Sequence, residues 1–227
     1  GAEPDFALRF SQYEYAVKKL EENTVGLIID QDHNCGGSVF YLEQMLGLFM
    51  DRPYAPMQFR LLANKEEHLA FEGWLKTLNK NTIEYDYLVK VSELIKTTWL
   101  DKQDWLTSAG SLSGRALLTP NSVRYTKPII MLIDYMAGSG GDAFPSMMQG
   151  YGRVKLLGTR TSGLGGHVTE QPSLPYSQIT LRMTKSLFFR PDGVAVENNG
   201  AAPDIEYHVT RDDVLQSYKP YREFYTQ

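Results

Sequence analysis

An α/β layered fold is what this 227-residue sequence predicts, and three observations carry it. Two short apolar runs, "LIID" at 27–30 and "IIMLI" at 129–133, each end in a glycine-rich turn that opens onto a helical pattern. A third run, "RVKLLGT" at 153–159, leads into another glycine-rich loop, "RTSGLGGHV". Repeated strand–turn–helix units of this kind give sheets with parallel character covered by helices. The hydrophobic fraction of 42% over this length is enough to bury a core without covalent staples.

Taken in order, Phe6, Phe10, Tyr13, Val17 and Leu20 recur at spacings of three and four, predicting an amphipathic helix over 5–22. "VGLIID" (25–30) reads as a short buried strand, 31–37 as a loop, and 38–50 as a helix with Ser38 as N-cap. Residues 56–64 return as a strand. Residues 65–123 are polar, rich in Lys and Glu, and carry Trp74, Trp99 and Trp105; helical spacing covers 66–79 and 84–99, ahead of the loop "SAGSLSG". They read as an insertion, either a solvated helical lobe or a segment shaping substrate access or an interface. The strand–glycine–helix unit then repeats over 128–150. Alternating apolar residues over 178–190 predict a hairpin or meander, "RPDG" a turn and "PDIEYHV" a strand. The expected organisation is an N-terminal helical segment, 1–24, leading into one domain, 25–227, that contains the 65–123 insertion.

Composition narrows the function. A net charge of −4 without a Lys/Arg cluster gives no footprint for nucleic acid. No apolar run approaches the roughly 18 residues of a membrane span. No basic-then-apolar leader is present, so any signal peptide is expected to have been removed or to lie outside this sequence. The single cysteine, Cys35, excludes an internal disulfide and a thiolate metal cluster. His33, His68, His167 and His208 are scattered and leave a metal site unsupported; the serine chemistry read below needs neither a metal nor an organic cofactor.

Three stretches carry chemistry. In "MAGSGGDAFP", Ser139 lies among Gly138, Gly140 and Gly141 at a strand-to-helix turn. A nucleophilic serine needs an accessible Oγ, a base and oxyanion donors, and the Gly140 N–H lies where one donor belongs. The stretch is a relaxed Gly-x-Ser-x-Gly elbow with Ala137 at the first glycine. On its own this signal is weak, and a glycine-rich turn with a solvated or N-capping serine accounts for the pattern. In "NCGG", the amides of Gly36 and Gly37 precede a helix and suit an oxyanion or a substrate carboxylate, or only a tight turn. In "VAVENNGAAPDIEY", Glu197 interrupts an apolar run. An unpaired buried charge is costly, so it reaches the surface, orients a histidine, or makes a structural hydrogen bond.

Together, Asn34-Cys35-Gly36-Gly37, Ser139-Gly140-Gly141-Asp142, "GTRTSGLGG" and "ENNGAAPDIE" resemble the tail-specific (C-terminal-processing) serine protease family, most closely its tricorn-like branch. The resemblance covers 25–64 and 124–207 and implies a crotonase-like layered core. It makes Ser139 the nucleophile, Gly140 with Gly36 or Gly37 the oxyanion hole, and Glu197, 58 residues after Ser139, the acid supporting a catalytic histidine. In the family's serine/lysine branch the base is a lysine, and Leu164 occupies that position here. In the tricorn-like branch the base is a histidine far upstream of the glycine loop, and the 24 residues before Val25 hold none. The expected base therefore belongs to an upstream segment or fragment of the same protein. His33, His167 and Gly165 become candidate substrate contacts. The resemblance further implies a polypeptide substrate and a bacterial exported enzyme, and leaves room for a homodimer. Two rival readings are an α/β-hydrolase esterase using Ser139, Asp192 or Asp204, and His208, and a non-catalytic module binding peptides or hydrophobic small molecules.

Overall fold

The computed structural model describes residues 6–102, 104–170 and 172–226. Of the predicted N-terminal segment, residues 1–5 and the side chain of Phe6 lie outside the described residues. The chain opens with α1 (Phe6–Asn23), as the apolar spacing requires: Val17 is buried, and Phe10 and Leu20 pack against the core. β1 (Leu27–Asp30) follows, then α2 (Val39–Gly47), where the Ser38 Oγ accepts from the Tyr41 N–H. β2 (Gln58–Leu61) leads into α3 (Lys65–Leu75) and α4 (Ile83–Asp101), which pack on one another. β3 (Gly110–Ser111), β4 (Ile129–Ile133), α5 (Gly140–Gly150) and β5 (Lys155–Gly158) complete the middle of the chain. β6 (Val168–Glu170), β7 (Arg182–Thr184), β8 (Ser186–Phe189), β9 (Ile205–Glu206), α6 (Arg211–Leu215) and α7 (Lys219–Tyr225) close it.

The principal sheet has the order β1-β4-β5-β9 and is parallel throughout. A three-stranded antiparallel sheet, β3-β2-β8, and the pair β6-β7 complete the strands. The main core lies between the parallel sheet and the helices α2 and α5. It joins Leu46, Met131, Ile133, Met147, Met148 and Leu156, each at most 2% exposed. That burial stabilises the layers at roughly 25 cal/mol per Å² of apolar surface removed from water. Both ends of the site's scaffold are thus fixed: α5 by its packing, and the tips of β1, β4 and β5 by their parallel register.

Four expectations are corrected. β1 is only half buried, because it is an edge strand: Ile28 is 39% exposed. The 178–190 run is no hairpin. Its strands break at Lys185 and take different partners, β7 pairing with β6 and β8 with β2. Alternation records which faces are apolar and carries no information on the partner strand. The loop "SAGSLSG" contains β3, paired with β2 despite weak strand propensity. "PDIEYHV" shrinks to the two-residue β9, and two helices follow it. α6 begins at a capping box between Thr210 and Asp213, and Tyr221 of α7 stacks on Tyr207 at 4.8 Å. The sequence signal for α6 is Thr210 with an acid three residues on.

Candidate active site

β4 ends at Ile133, and Asp134 organises the turn beyond it. Its Oδ1 accepts from the Ala137 N–H at 3.0 Å and the His33 N–H at 2.9 Å. The turn then forces Ser139 to φ 56° and ψ −116°, a conformation that non-glycine residues rarely adopt. Such strain persists only where the surroundings over-determine it. Here they do. A Cβ on Gly36 would lie 2.5 Å from the Gly140 nitrogen and 2.7 Å from the Ser139 Cβ, and one on Gly141 1.9 Å from the Asn34 carbonyl oxygen. The "NCGG" loop is therefore pressed onto the serine turn, and the Gly138 N–H donates to the Asn34 carbonyl at 2.9 Å. Ser139 is the residue before α5, yet its hydroxyl makes no capping bond, so the Oγ is not consumed by the helix.

Gly36 does not present its amide outward: that N–H donates to Asn34 Oδ1 at 2.9 Å. What Gly36 supplies is close approach, at φ 96°. The amides of Gly37 and Gly140 accept no such fate; among the described residues neither has an acceptor. They are neighbours, since a Cβ on Gly140 would lie 3.1 Å from the Gly37 nitrogen. Gly140 follows Ser139 directly and Gly37 adjoins Gly140, so two unspent donors of the kind an oxyanion draws on lie close to the serine.

The glycine-rich loop 161–165 bridges to the third stretch. On one side the Ser162 N–H donates to the Ala137 carbonyl at 2.8 Å. On the other, the Asn198 N–H donates to the Gly163 carbonyl at 2.8 Å, and Thr161 exchanges bonds with Ala201. Glu197 sits in a turn rather than inside a strand, half-buried, and its Oε2 accepts from the Gly165 N–H at 2.8 Å. Gly165 leaves no room for a side chain of its own: a Cβ there would lie 2.1 Å from the Glu197 nitrogen. Leu164 lies against Gly138, where an added Cβ would meet Leu164 Cδ1 at 2.9 Å, and is otherwise exposed. Asp142 has no role readable in the sequence. It is fully buried and accepts from the Gly163 and Leu164 amides at 2.8 and 2.9 Å.

Among the described residues, no histidine ring is hydrogen-bonded to Ser139 Oγ or to the Glu197 carboxylate. His33 Nε2 pairs with Asp134 Oδ2 at 3.0 Å, His68 with Ser92 and His208 with Glu206. His167 is exposed and enters the hydrogen-bond network through its backbone, which receives the Lys185 N–H at 2.7 Å. The esterase triad is not assembled. Asp192 binds Arg190, and Asp204 binds Lys155, Gln149 and the Leu156 N–H, so neither touches His208. Beside the glycine loop, Asp32 has its carboxyl pushed up to about 6, first by burial and then by the charges of Asp30 and Asp134.

Comparison with known proteins agrees with this architecture. Residues 4–207 match the model of peptidase family S41. A protein of Chlamydia pneumoniae is 33% identical over 223 residues, covering 88% of this chain and 36% of its own length. The tricorn protease of Thermoplasma acidophilum is 35% identical over 109 residues, 47% of this chain and 10% of its own. Among solved structures, mature CPAF, the chlamydial protease-like activity factor, superposes with a TM-score of 0.79 at 29% identity, over 95% of this chain and 45% of that one. The photosystem II D1 C-terminal processing protease shares the fold, with a TM-score of 0.53 at 14% identity, over 91% of this chain and 40% of that one. The class these findings define is that of the S41 peptidases; the tricorn protease is similar to this chain in sequence and the C-terminal processing protease in fold. The chain belongs to peptidase family S41. It spans little more than a third of the length of the chlamydial relatives it matches.

Proposed function

We propose that this chain carries the nucleophile half of a serine endopeptidase built on a crotonase-like core. The observation that supports it most is the Ser139 elbow: a strained, uncapped serine beside the unspent amides of Gly37 and Gly140. Ser139 Oγ attacks the scissile carbonyl of an extended polypeptide as its proton passes to a base. The tetrahedral oxyanion is held by the Gly37 and Gly140 N–H groups, and collapse expels the amine to leave an acyl-enzyme on Ser139. Water attacks the ester in the second half-reaction and restores the hydroxyl.

The base is a histidine from an upstream segment of the same protein, which Glu197 orients and whose positive charge it stabilises. The carboxylate has a free oxygen for that task, since the Gly165 amide engages only Oε2. His33 is occupied by Asp134, which favours a loop role over that of base. His167, exposed just beyond the loop that borders Ser139, contacts substrate; Gly165 does not, since it is buried with its N–H on Glu197 and its carbonyl accepting from the Phe188 N–H. The enzyme acts outside the cytoplasm, and 65–123 shapes access to the site.

Peptide hydrolysis by the protein with its upstream segment tests this reading. Ser139→Ala is expected to lower kcat by about 10⁴-fold or more, and Glu197→Gln by a smaller factor. His208→Ala is expected to leave it unchanged. Hydrolysis that survives Ser139→Ala would remove the proposal.

A further inference from the structure

Three consecutive amides point at carboxylates. The Gly163 and Leu164 N–H groups donate to the two oxygens of Asp142, and the Gly165 N–H donates to Glu197 Oε2. Asp142 lies on α5, three residues after Ser139, and is 0% exposed. Among the described residues no cation pairs with it. The two amide donors satisfy one oxygen each and tie this buried side chain to the loop. Each oxygen accepts one N–H, so an apolar residue here would orphan two buried donors and a side-chain amide would turn a donor onto one of them.

The loop between the two carboxylates has no slack. Gly163 holds φ 74°, and a Cβ there would lie 3.0 Å from the Asn198 carbonyl carbon and the Asn199 nitrogen. A Cβ on Gly166, the next residue beyond the three amides, would lie 2.1 Å from the Ser186 carbonyl oxygen. Nothing in the described hydrogen bonds joins the Glu197 carboxylate to α5 directly, so residues 163–165 are the connection.

We infer that Asp142 is a positioning residue that acts through the 163–165 amides to fix the Glu197 carboxylate relative to Ser139. The inference depends on the serine mechanism proposed above. A misplaced Glu197 stabilises the imidazolium less, so the base is protonated only at lower pH and the acid limb of the rate profile moves down. Misplacement by about 1 Å costs up to about 100-fold in rate.

The test uses the complete protein with its upstream segment. Asp142→Asn, Glu197→Gln and the double variant are compared by kcat, KM and pH profile, with active sites counted by covalent titration. Asp142→Asn is expected to lower kcat per active site about 10- to 100-fold with little change in KM. Its acid limb should move in the direction that Glu197→Gln moves it, and the double variant should be no slower than the slower single one. Wild-type kcat per site and an unmoved limb in Asp142→Asn, or multiplicative effects in the double variant, would overturn the inference. If Glu197→Gln itself changes neither kcat nor the limb, the catalytic reading falls and takes this one with it. Should Asp142→Asn not fold, amide hydrogen exchange in Glu197→Gln decides. Lost protection at Gly163 and Leu164 as well as Gly165 supports the clamp, and loss confined to Gly165 contradicts it.

Discussion

The methyl group of an alanine at position 36 would meet the Gly140 nitrogen at 2.5 Å and the Ser139 Cβ at 2.7 Å, in a backbone already at φ 96°. Gly36→Ala is therefore expected to cost about 3 kcal/mol of unfolding free energy. Gly73→Ala is its control: that glycine is exposed on α3 with open space around it, and the change should stabilise by about 0.5–1 kcal/mol. Denaturant titration measures both, and equal effects would contradict the packing described. Asp32 makes a separate prediction. Its folded value of about 6 lies above the ordinary carboxylate range, so the protonated form favours the fold. That stabilisation is complete below about pH 4 and is lost as pH rises through 6. With solvent screening allowed for, Asp32→Asn should raise stability at pH 7.5 by about 1 kcal/mol and flatten the slope between pH 4 and 6. An unchanged unfolding free energy at pH 7.5 would refute it. At this scale the sequence disclosed Ser139, Glu197 and the glycines, because a serine among glycines and an acid in an apolar run are visible one-dimensional anomalies. It did not disclose that the Gly36 amide turns inward to Asn34 or that Asp142 faces a loop more than 20 residues away, since both depend on three-dimensional approach.

Among the elements, α5 shows how a local defect is repaired from a distance. Pro145 lies inside the helix and cannot donate to the Gly141 carbonyl. The buried Gln31 supplies the missing donor: its Nε2 reaches that oxygen at 2.9 Å. Gln31→Leu should cost about 2 kcal/mol, because it leaves a buried carbonyl unpaired. In a Pro145→Ala background, which restores an amide donor, the same change should cost about 1 kcal/mol less. Equal costs in the two backgrounds would show that Gln31 stabilises the fold by some other route. The strand–glycine–helix units were legible because β4 is an unbroken apolar run that stops at a glycine-rich turn, with a helical pattern beyond it. The partners of β7 and β8 were not, since pairing is a property of the whole sheet. α6 and α7 escaped because they are short, and α7 is held by the stacking of Tyr221 on Tyr207 more than by an apolar stripe.

For the molecule as a whole, the parallel sheet and α5 hold a serine, two amide donors and a carboxylate in one frame, with no histidine bonded to any of them among the described residues. The proposal of a base outside this chain rests on spacing: the 24 residues before Val25 hold no histidine, and position 164 is a leucine. How the frame is registered was not legible in the sequence, because the 161–165 loop joins segments that are far apart in the chain. The central claim is that Ser139 becomes a nucleophile when a histidine from outside this chain is added. Covalent labelling by a fluorophosphonate, read by intact mass, tests it most directly. The chain alone, the chain with its upstream segment, and Ser139→Ala in each form would be compared. The account predicts one label per chain only where Ser139 and the upstream segment are both present. Equal labelling of the isolated chain would contradict it and place the base within these 227 residues.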